Sequence, residues 1–192
     1  MSHDLPPDTD VDEALAEHTL ADESAIPEAG ILGRAIERGG MFVACLFLVS
    51  AAIIMYEIFM RYVLDAPTLW VTETTIFICA AAFIYGGLYC VARDRHIRVV
   101  LIYDHLPPGL RRVFDVVISL LCLVLAAFFA WASWTMVEKS WWSPTGALRL
   151  EGTGSAWNPP TPALLKGFLM LVMIVMTIQF VILAVNYVRR GR

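Results

Sequence analysis

The long apolar stretches of this 192-residue chain contain almost no charge and no proline. Only 17% of all residues are charged and 58% are hydrophobic, whereas a typical soluble domain has about 25% and about 45–50%. This composition excludes an ordinary soluble globule and a disordered chain. Unbroken, uncharged helices also lack the midplane polar groups of a secondary transporter that works alone.

Those apolar stretches contain no histidine. The four histidines of the chain are His3, His18, His96 and His105. A haem-binding bundle needs axial ligands inside it, so a cytochrome b is excluded. The four cysteines lie within the apolar stretches and not in outer loops where disulfides form, which excludes a tetraspanin-like protein. The chain has no Walker loop and no set of residues arranged for nucleophilic catalysis. We therefore predict no enzyme activity and no cofactor in this chain.

Lysine and arginine are absent from residues 1–30, which hold nine of the 18 acidic residues. This segment lacks the positive start and apolar core of a signal peptide. Its Asp, Glu, Pro and Ala content predicts a disordered acidic tail over 1–30. The rest of the chain carries 14 bases and nine acids without a dense basic stripe, which argues against a nucleic-acid partner.

Four stretches are long and apolar enough to cross the roughly 30 Å of a bilayer core, which takes about 20 residues. They predict transmembrane helices at about 41–62, 69–92, 113–137 and 167–189, within a membrane domain over 31–192. Because backbone groups in lipid must be satisfied within the segment, the predicted fold class is all-α integral membrane. Residues 31–40 predict a short amphipathic lead-in that ends at Gly39-Gly40.

The loop at 93–112 is too apolar in its middle to be a plain solvated loop. It predicts a short amphipathic interfacial helix between helices 2 and 3, stopped by Pro107-Pro108. Its bases could bind anionic membrane lipids. We expect His96 and His105 to lie on its polar face and not to act as ligands.

The 14 bases divide unevenly between the two ends of the predicted helices. Ten lie on the side of both termini and four on the other side, which predicts that both termini are cytoplasmic. The tryptophans lie at or near the predicted outer side, where they form either a headgroup-level belt or a surface for a protein partner. They are Trp70, Trp131, Trp134, Trp141, Trp142 and Trp157.

Three charged residues at the predicted outer ends of helices 1 and 2 are candidate site residues. Glu57 and Arg61 are four positions apart and share a helix face. They form either a structural ion pair or a site in which Glu57 is a functional membrane acid. Glu73 lies in the first turn of helix 2, either as a capping acid or as the partner of Arg61 or of another subunit.

The longest outer loop, 138–166, ends in the proline run Asn158-Pro-Pro-Thr-Pro162. Prolines favour an extended, fixed segment. The loop is either a tight connector before helix 4 or a docking surface on the outer side of the membrane. In the second case the candidate contacts are Trp141, Trp142 and Trp157.

Polar and small residues inside the helices predict packing and not chemistry. Thr135, Gln179 and Asn186 are expected to form helix–helix hydrogen bonds. Hydroxyls such as those of Ser50 and Thr177 are expected to bond to their own backbone. Gly86-Gly87 would allow the close approach of another helix. Together these features indicate an accessory or scaffold subunit that is poorly equipped to transport alone.

Several short motifs recur here in a fixed order over about residues 34–190. They are Glu57-x-x-x-Arg61-Tyr62, Pro67, Trp70-x-x-Glu73, Arg95-His96-Ile97-Arg98-Val99, Leu106-Pro107 and the run WNPPTPALLKG before helix 4. Their order and spacing resemble those of the small permease subunit (DctQ-type) of tripartite ATP-independent periplasmic (TRAP) transporters. The chain departs from that pattern at Thr72 and Val100, where family members often carry acids, and in its acidic tail.

The resemblance implies a place in a three-part importer of the bacterial inner membrane. A periplasmic solute-binding protein would deliver an anionic organic solute to a large membrane subunit, which would be coupled to sodium and would hold any sodium site. This chain would be the scaffold beside that large subunit. The resemblance marks candidate subunit-interface or structural ion-pair residues: Glu57, Arg61, Trp70, Glu73, Arg95, His96 and Arg98.

Two alternatives to a TRAP subunit stay open at this point. A small multidrug-type, proton-coupled transporter also has four helices and a key glutamate in helix 1, although such chains are shorter and place that acid deeper. An assembly factor without a transport role is the other alternative.

Overall fold

A computed structural model describes residues 29–93 and 108–189, without the side chains at 108, 109, 111 and 112. Regular structure in these ranges is helical apart from one isolated bridge between Trp142 and Leu148. The helices are α1 (Gly30–Tyr62), α2 (Trp70–Ala92), α3 (Pro108–Trp141) and α4 (Thr161–Arg189). All four are long and apolar enough to cross a membrane, so the predicted all-α membrane fold is confirmed.

The helices run beyond their apolar segments. α1 begins at Gly30 and passes through Gly39-Gly40 without a break, so residues 31–40 are part of it and not a separate lead-in. α3 continues to Trp141, because Glu138 and Lys139 are good helix formers even though they are charged. Hydropathy marks the part of a helix that lipid can cover, whereas backbone hydrogen bonding sets its length.

Two predictions fall outside the described residues. The central part of the proposed interfacial helix, 94–107, is one of them. The acidic tail up to residue 28 is the other. α3 begins at Pro108, where a proline is well placed because the first helical turn needs no backbone donor there.

The bundle has a narrow core. One buried cluster joins α1, α2 and α4 through Ile36, Leu88, Ala92 and Val172. A second joins α2, α3 and α4 through Val91, Ala126, Phe180 and Leu183. Outside these clusters, large apolar side chains point outward, as in a bundle whose surface meets lipid or the helices of a partner.

Aromatic rings of α2 lie directly over the double glycine of α1. A Cβ atom added at Gly40 would lie 2.6 Å from Cε2 of Tyr89, and the Tyr85 hydroxyl donates to the Ile36 carbonyl at 2.6 Å. Nothing lies within 4 Å of a Cβ added at Gly86 or Gly87. The close helix approach that we expected at Gly86-Gly87 therefore occurs, within the described helices, at the glycine pair of α1.

The polar residues inside the helices follow the predictions only in part. Gln179 of α4 donates to the Ala29 carbonyl at the start of α1 (3.2 Å), so its helix–helix bond is confirmed. Thr177 bonds to its own backbone as predicted. Thr135 does the same, so its predicted helix–helix bond is wrong. The Ser50 hydroxyl instead contacts Cys79 Sγ of α2 at 3.4 Å. α1 and α2 are close enough there for Cys79 to take the place of a carbonyl of the helix that carries Ser50.

Candidate functional site

The predicted outer end of the bundle carries the candidate site, and Glu57 lies at its centre. Its side chain projects from the last turns of α1 and the residue is 7% exposed. Arg61, one turn further on, donates to Glu57 Oε1 from Nη2 at 2.6 Å and from Nε at 3.2 Å. The predicted pairing of these two residues is thus present as a charge-assisted contact within one helix, in which two guanidinium nitrogens donate to one carboxylate oxygen.

The second oxygen of Glu57 holds the connection between α1 and α2. The Thr68 backbone N–H donates to Oε2 at 3.1 Å, and the Thr68 hydroxyl donates to the same oxygen. The chain reaches this position through a folded turn, in which Ala66 N–H donates to the Met60 carbonyl at 3.0 Å. Glu57 therefore joins the end of α1 to the segment that leads into α2, and these contacts favour its structural role.

Trp70 and Glu73 occupy the first turn of α2. The Trp70 ring lies 6.2 Å from the Tyr56 ring of α1, centroid to centroid. The Glu73 carboxylate accepts from the Thr153 hydroxyl at 3.2 Å, which connects α2 to loop 142–160. Arg61 pairs with Glu57 and not with Glu73. Glu73 thus has the position of a capping acid and a contact that the sequence did not indicate.

A second polar cluster anchors loop 142–160 at its base. Glu151 accepts from the Ser140 hydroxyl of α3 at 2.6 Å and from the Lys166 ammonium of α4. Its backbone N–H also donates to the Ser140 carbonyl at 2.9 Å. The Lys166 and Ser140 donors hold the pKa of the Glu151 carboxyl below its ordinary value. One loop carboxylate therefore joins the ends of two helices.

Substitution of Glu151 is expected to have a pH-dependent effect on stability. Because the folded pKa lies below the ordinary value of 4.5, the contact stabilises the fold above that pH and is lost as the pH falls through the folded pKa. Thermal unfolding of E151Q in detergent should occur at lower temperature than wild type at pH 7. The difference between the two unfolding temperatures should shrink as the pH falls below 4.5. E138Q, which alters an exposed acid of α3, should match wild type across this pH range, and a constant E151Q deficit would contradict the prediction.

The three predicted docking tryptophans lie in different surroundings. Trp141 is half-buried, donates from Nε1 to the Ala163 carbonyl at 2.9 Å and lies against Gly167. Trp142 and Trp157 are 41% and 47% exposed. Trp157 borders an open groove of about 540 Å³ with Pro67, Thr68 and Trp70. Trp141 thus fixes the start of α4, and only the other two present surface to a partner.

Several residues of the site were not predicted from sequence. Thr68, Ser140, Glu151 and Lys166 hold the loops, yet their partners lie 11 or 15 positions away in the chain, outside helical spacing. Only Thr68, a hydroxyl residue just before α2, offered a signal, as a typical helix-start residue. The candidates Arg95, His96 and Arg98 lie outside the described residues. Within the described ranges, no group of three or more His, Cys, Asp or Glu could hold a metal ion.

The fold and the site define a four-helix, multi-pass membrane protein in which polar contacts hold the loops at one end of the bundle. The chain belongs to the family of tripartite ATP-independent periplasmic transporters, DctQ component, whose model matches residues 50–190. The resemblance seen in the motifs is thereby confirmed, and the chain is a small TRAP transporter subunit.

A curated relative is similar over a shorter range. The chain is 25% identical over 107 residues to the C4-dicarboxylate TRAP transporter small permease protein DctQ of Vibrio cholerae serotype O1. This alignment covers 53% of the present chain and 46% of the relative. The chain thus matches about half the length of that relative.

Proposed function

We propose that this chain is the static scaffold subunit of a sodium-coupled importer of an anionic organic solute. It would sit in the bacterial inner membrane with both termini in the cytoplasm. A large membrane subunit would hold the sodium and solute sites, and a periplasmic binding protein would deliver the solute. Membership of the family over residues 50–190 carries this proposal. The dicarboxylate named for the Vibrio cholerae relative supports an organic acid as the solute.

The shape of the bundle supports a scaffold role. Of the 33 residues of α1, only Gly33, Ile36, Ser50 and Glu57 are buried. Much of α1 and much of α3 present apolar side chains outward. In lipid, helices associate through van der Waals packing and interhelical hydrogen bonds, so such faces are available to the helices of a large partner.

The contacts of Glu57 disfavour a small multidrug-type transporter. A proton-carrying acid has to exchange protons with water and substrate during each cycle. Both oxygens of Glu57 are instead occupied by donors of Arg61 and Thr68 at the end of the helix. An acid held in this way has a structural role, because it joins the end of α1 to the segment that leads into α2.

Purification of the full chain in mild detergent tests the proposed assembly. We expect a large multi-helix membrane protein to co-purify with it in a constant ratio. Liposomes containing this chain alone should take up no organic acid. Liposomes with both membrane subunits should take up the solute only with sodium and the binding protein. Recovery of a homodimer alone, or drug efflux by the chain alone, would contradict the proposal.

The groove beside Trp157 is the proposed contact for the binding protein. It lies at the predicted outer end between two loops that Glu57 and Glu73 hold in place. W157A is expected to lower solute uptake by the reconstituted system about tenfold, as loss of an interface hot spot would. Co-purification with the large subunit should stay normal. W131A, which removes an exposed tryptophan from the apolar face of α3, should leave uptake unchanged, and equal uptake by both variants would count against this contact.

A further inference from the structure

A second groove at the predicted outer end combines two indoles with a pair of opposite charges. It has a volume of about 890 Å³ and is lined by Trp134, Glu138 and Lys139 of α3 and by Trp142, Ser143, Pro144 and Gly146 of the following turn. Both indoles are exposed, at 52% for Trp134 and 41% for Trp142. No part of the proposed transporter role accounts for this groove.

The two charges of the groove are not used elsewhere in the described fold. Glu138 and Lys139 are neighbours in a helix, so their side chains point about 100° apart and do not face each other. Neither forms an ion pair with another described residue. The groove therefore offers a free carboxylate and a free ammonium within one site.

The wall formed by Trp142 is held in place before any ligand binds. Its ring stacks on that of Trp141 at 6.1 Å, centroid to centroid, and Trp141 is itself fixed by its bond to Ala163. The turn that follows is closed by a hydrogen bond from Ser143 N–H to the Ala147 carbonyl at 2.9 Å. A preformed wall lowers the entropy cost of binding.

The length of α3 leads us to expect the groove at the depth of lipid headgroups. α3 has 34 residues, which at about 1.5 Å per residue exceeds the roughly 30 Å hydrocarbon core by about 20 Å. From Trp134 to the end of α3 at Trp141 the helix rises by about 10 Å. It would therefore cross the headgroup layer of about 5–8 Å, where indoles are favoured. A membrane lipid at that depth would have its headgroup beside this groove.

We propose that this groove binds the headgroup of a phospholipid that carries a primary ammonium and a phosphate, as phosphatidylethanolamine does. The ammonium would donate to Glu138, and the phosphate would accept from Lys139 and from indole N–H groups. A primary ammonium has three N–H donors for a carboxylate, whereas the trimethylammonium of phosphatidylcholine has none. The Trp faces add cation–π attraction for either ammonium, so the hydrogen bond to Glu138 alone would favour the primary one.

Native mass spectrometry of the full chain in mild detergent tests this site. The protein is titrated with phosphatidylethanolamine, phosphatidylcholine or phosphatidylglycerol, and the retained lipid is measured. We expect retention of phosphatidylethanolamine to exceed that of phosphatidylcholine by about fivefold or more, the effect of one charge-assisted hydrogen bond. E138Q should remove this preference without changing retention of phosphatidylglycerol. K139Q should lower retention of all three lipids, because each of them carries the phosphate that Lys139 would bind.

Matched substitutions outside the groove provide the controls. D65N and R149Q make the same charge changes in exposed loop residues at the same end of the bundle and should retain lipid like wild type. Equal retention of phosphatidylethanolamine and phosphatidylcholine by wild type would overturn the proposal. So would a preference for phosphatidylglycerol, which would indicate an anionic-lipid site. Retention of phosphatidylethanolamine that neither E138Q nor K139Q alters would place the lipid outside this groove and would also overturn the proposal.

Discussion

Replacement of Glu57 by alanine is expected to lower the unfolding temperature of the purified chain by about 5 °C or more. The substitution removes the acceptor of the Arg61 guanidinium and leaves the Thr68 backbone N–H and hydroxyl without their partner at the end of α1. The carboxylate is the shared acceptor of all these donors, so its loss leaves the partly buried Thr68 groups without a partner, whereas the half-exposed Arg61 can turn to water. The measurement is thermal unfolding in detergent, followed by circular dichroism.

Two companion variants of Glu57→Ala show what the acid does. E57Q keeps an acceptor for Thr68 but loses the charge that pairs with Arg61, so its unfolding temperature should lie between those of E57A and wild type. E138A removes an exposed acid of α3 and should unfold like wild type. If E57Q supports normal sodium-driven uptake in the complete system, Glu57 carries no proton. Stability of E57A equal to wild type would show that the loop between α1 and α2 does not need the acid.

Substitution of Gly40 by leucine is expected to destabilise the fold by about 2 kcal/mol. A Cβ at this position would lie 2.6 Å from Tyr89 Cε2, inside van der Waals contact. Overpacking of this kind costs about 1–3 kcal/mol, and the better helix propensity of leucine recovers less than about 1 kcal/mol. α1 and α2 would have to separate, which should lower the unfolding temperature and weaken the Tyr85 bond to Ile36.

A double-mutant cycle with Tyr89→Ala isolates this effect of Gly40→Leu. In the Y89A background the leucine meets no ring, so adding G40L should cost nothing or stabilise the chain. Comparison with Y89A alone also allows for the lost contact between Tyr89 and Arg93. G87L, on an open face of α2, should unfold like wild type. An equal cost of G40L with and without Tyr89 would contradict the packing explanation.

The pairing of Glu57 with Arg61 illustrates what local spacing predicts well. Residues four apart on a helix are neighbours whatever the tertiary structure, so this contact followed from the sequence alone. The partner of the second oxygen did not follow, because Thr68 reaches Glu57 only after the chain turns at residues 63–67. The same limit applies to Ser140, Glu151 and Lys166, since no periodic pattern links positions in two helices and a loop.

The glycines and tryptophans show a second limit. Both glycine pairs look alike as sequence, and only the packed helices show that rings cover Gly40 while Gly86 and Gly87 stay open. Trp141 and Trp142 are adjacent, yet one is bonded to Ala163 at the base of the loop and the other lines a groove. Whether an aromatic side chain supports the fold or presents a surface depends on what lies opposite it.

The sequence by itself determined the number of membrane helices, the all-α fold class and the family. Hydropathy over about 20 residues is a local property of the sequence. In lipid, a helix is the structure in which a single segment satisfies all of its own backbone hydrogen bonds. The tertiary structure alone decided which carboxylates hydrogen-bond to loops, which glycines lie against a neighbouring helix and which indoles stay exposed. These depend on contacts between distant segments, whose side chains meet only once the helices have packed.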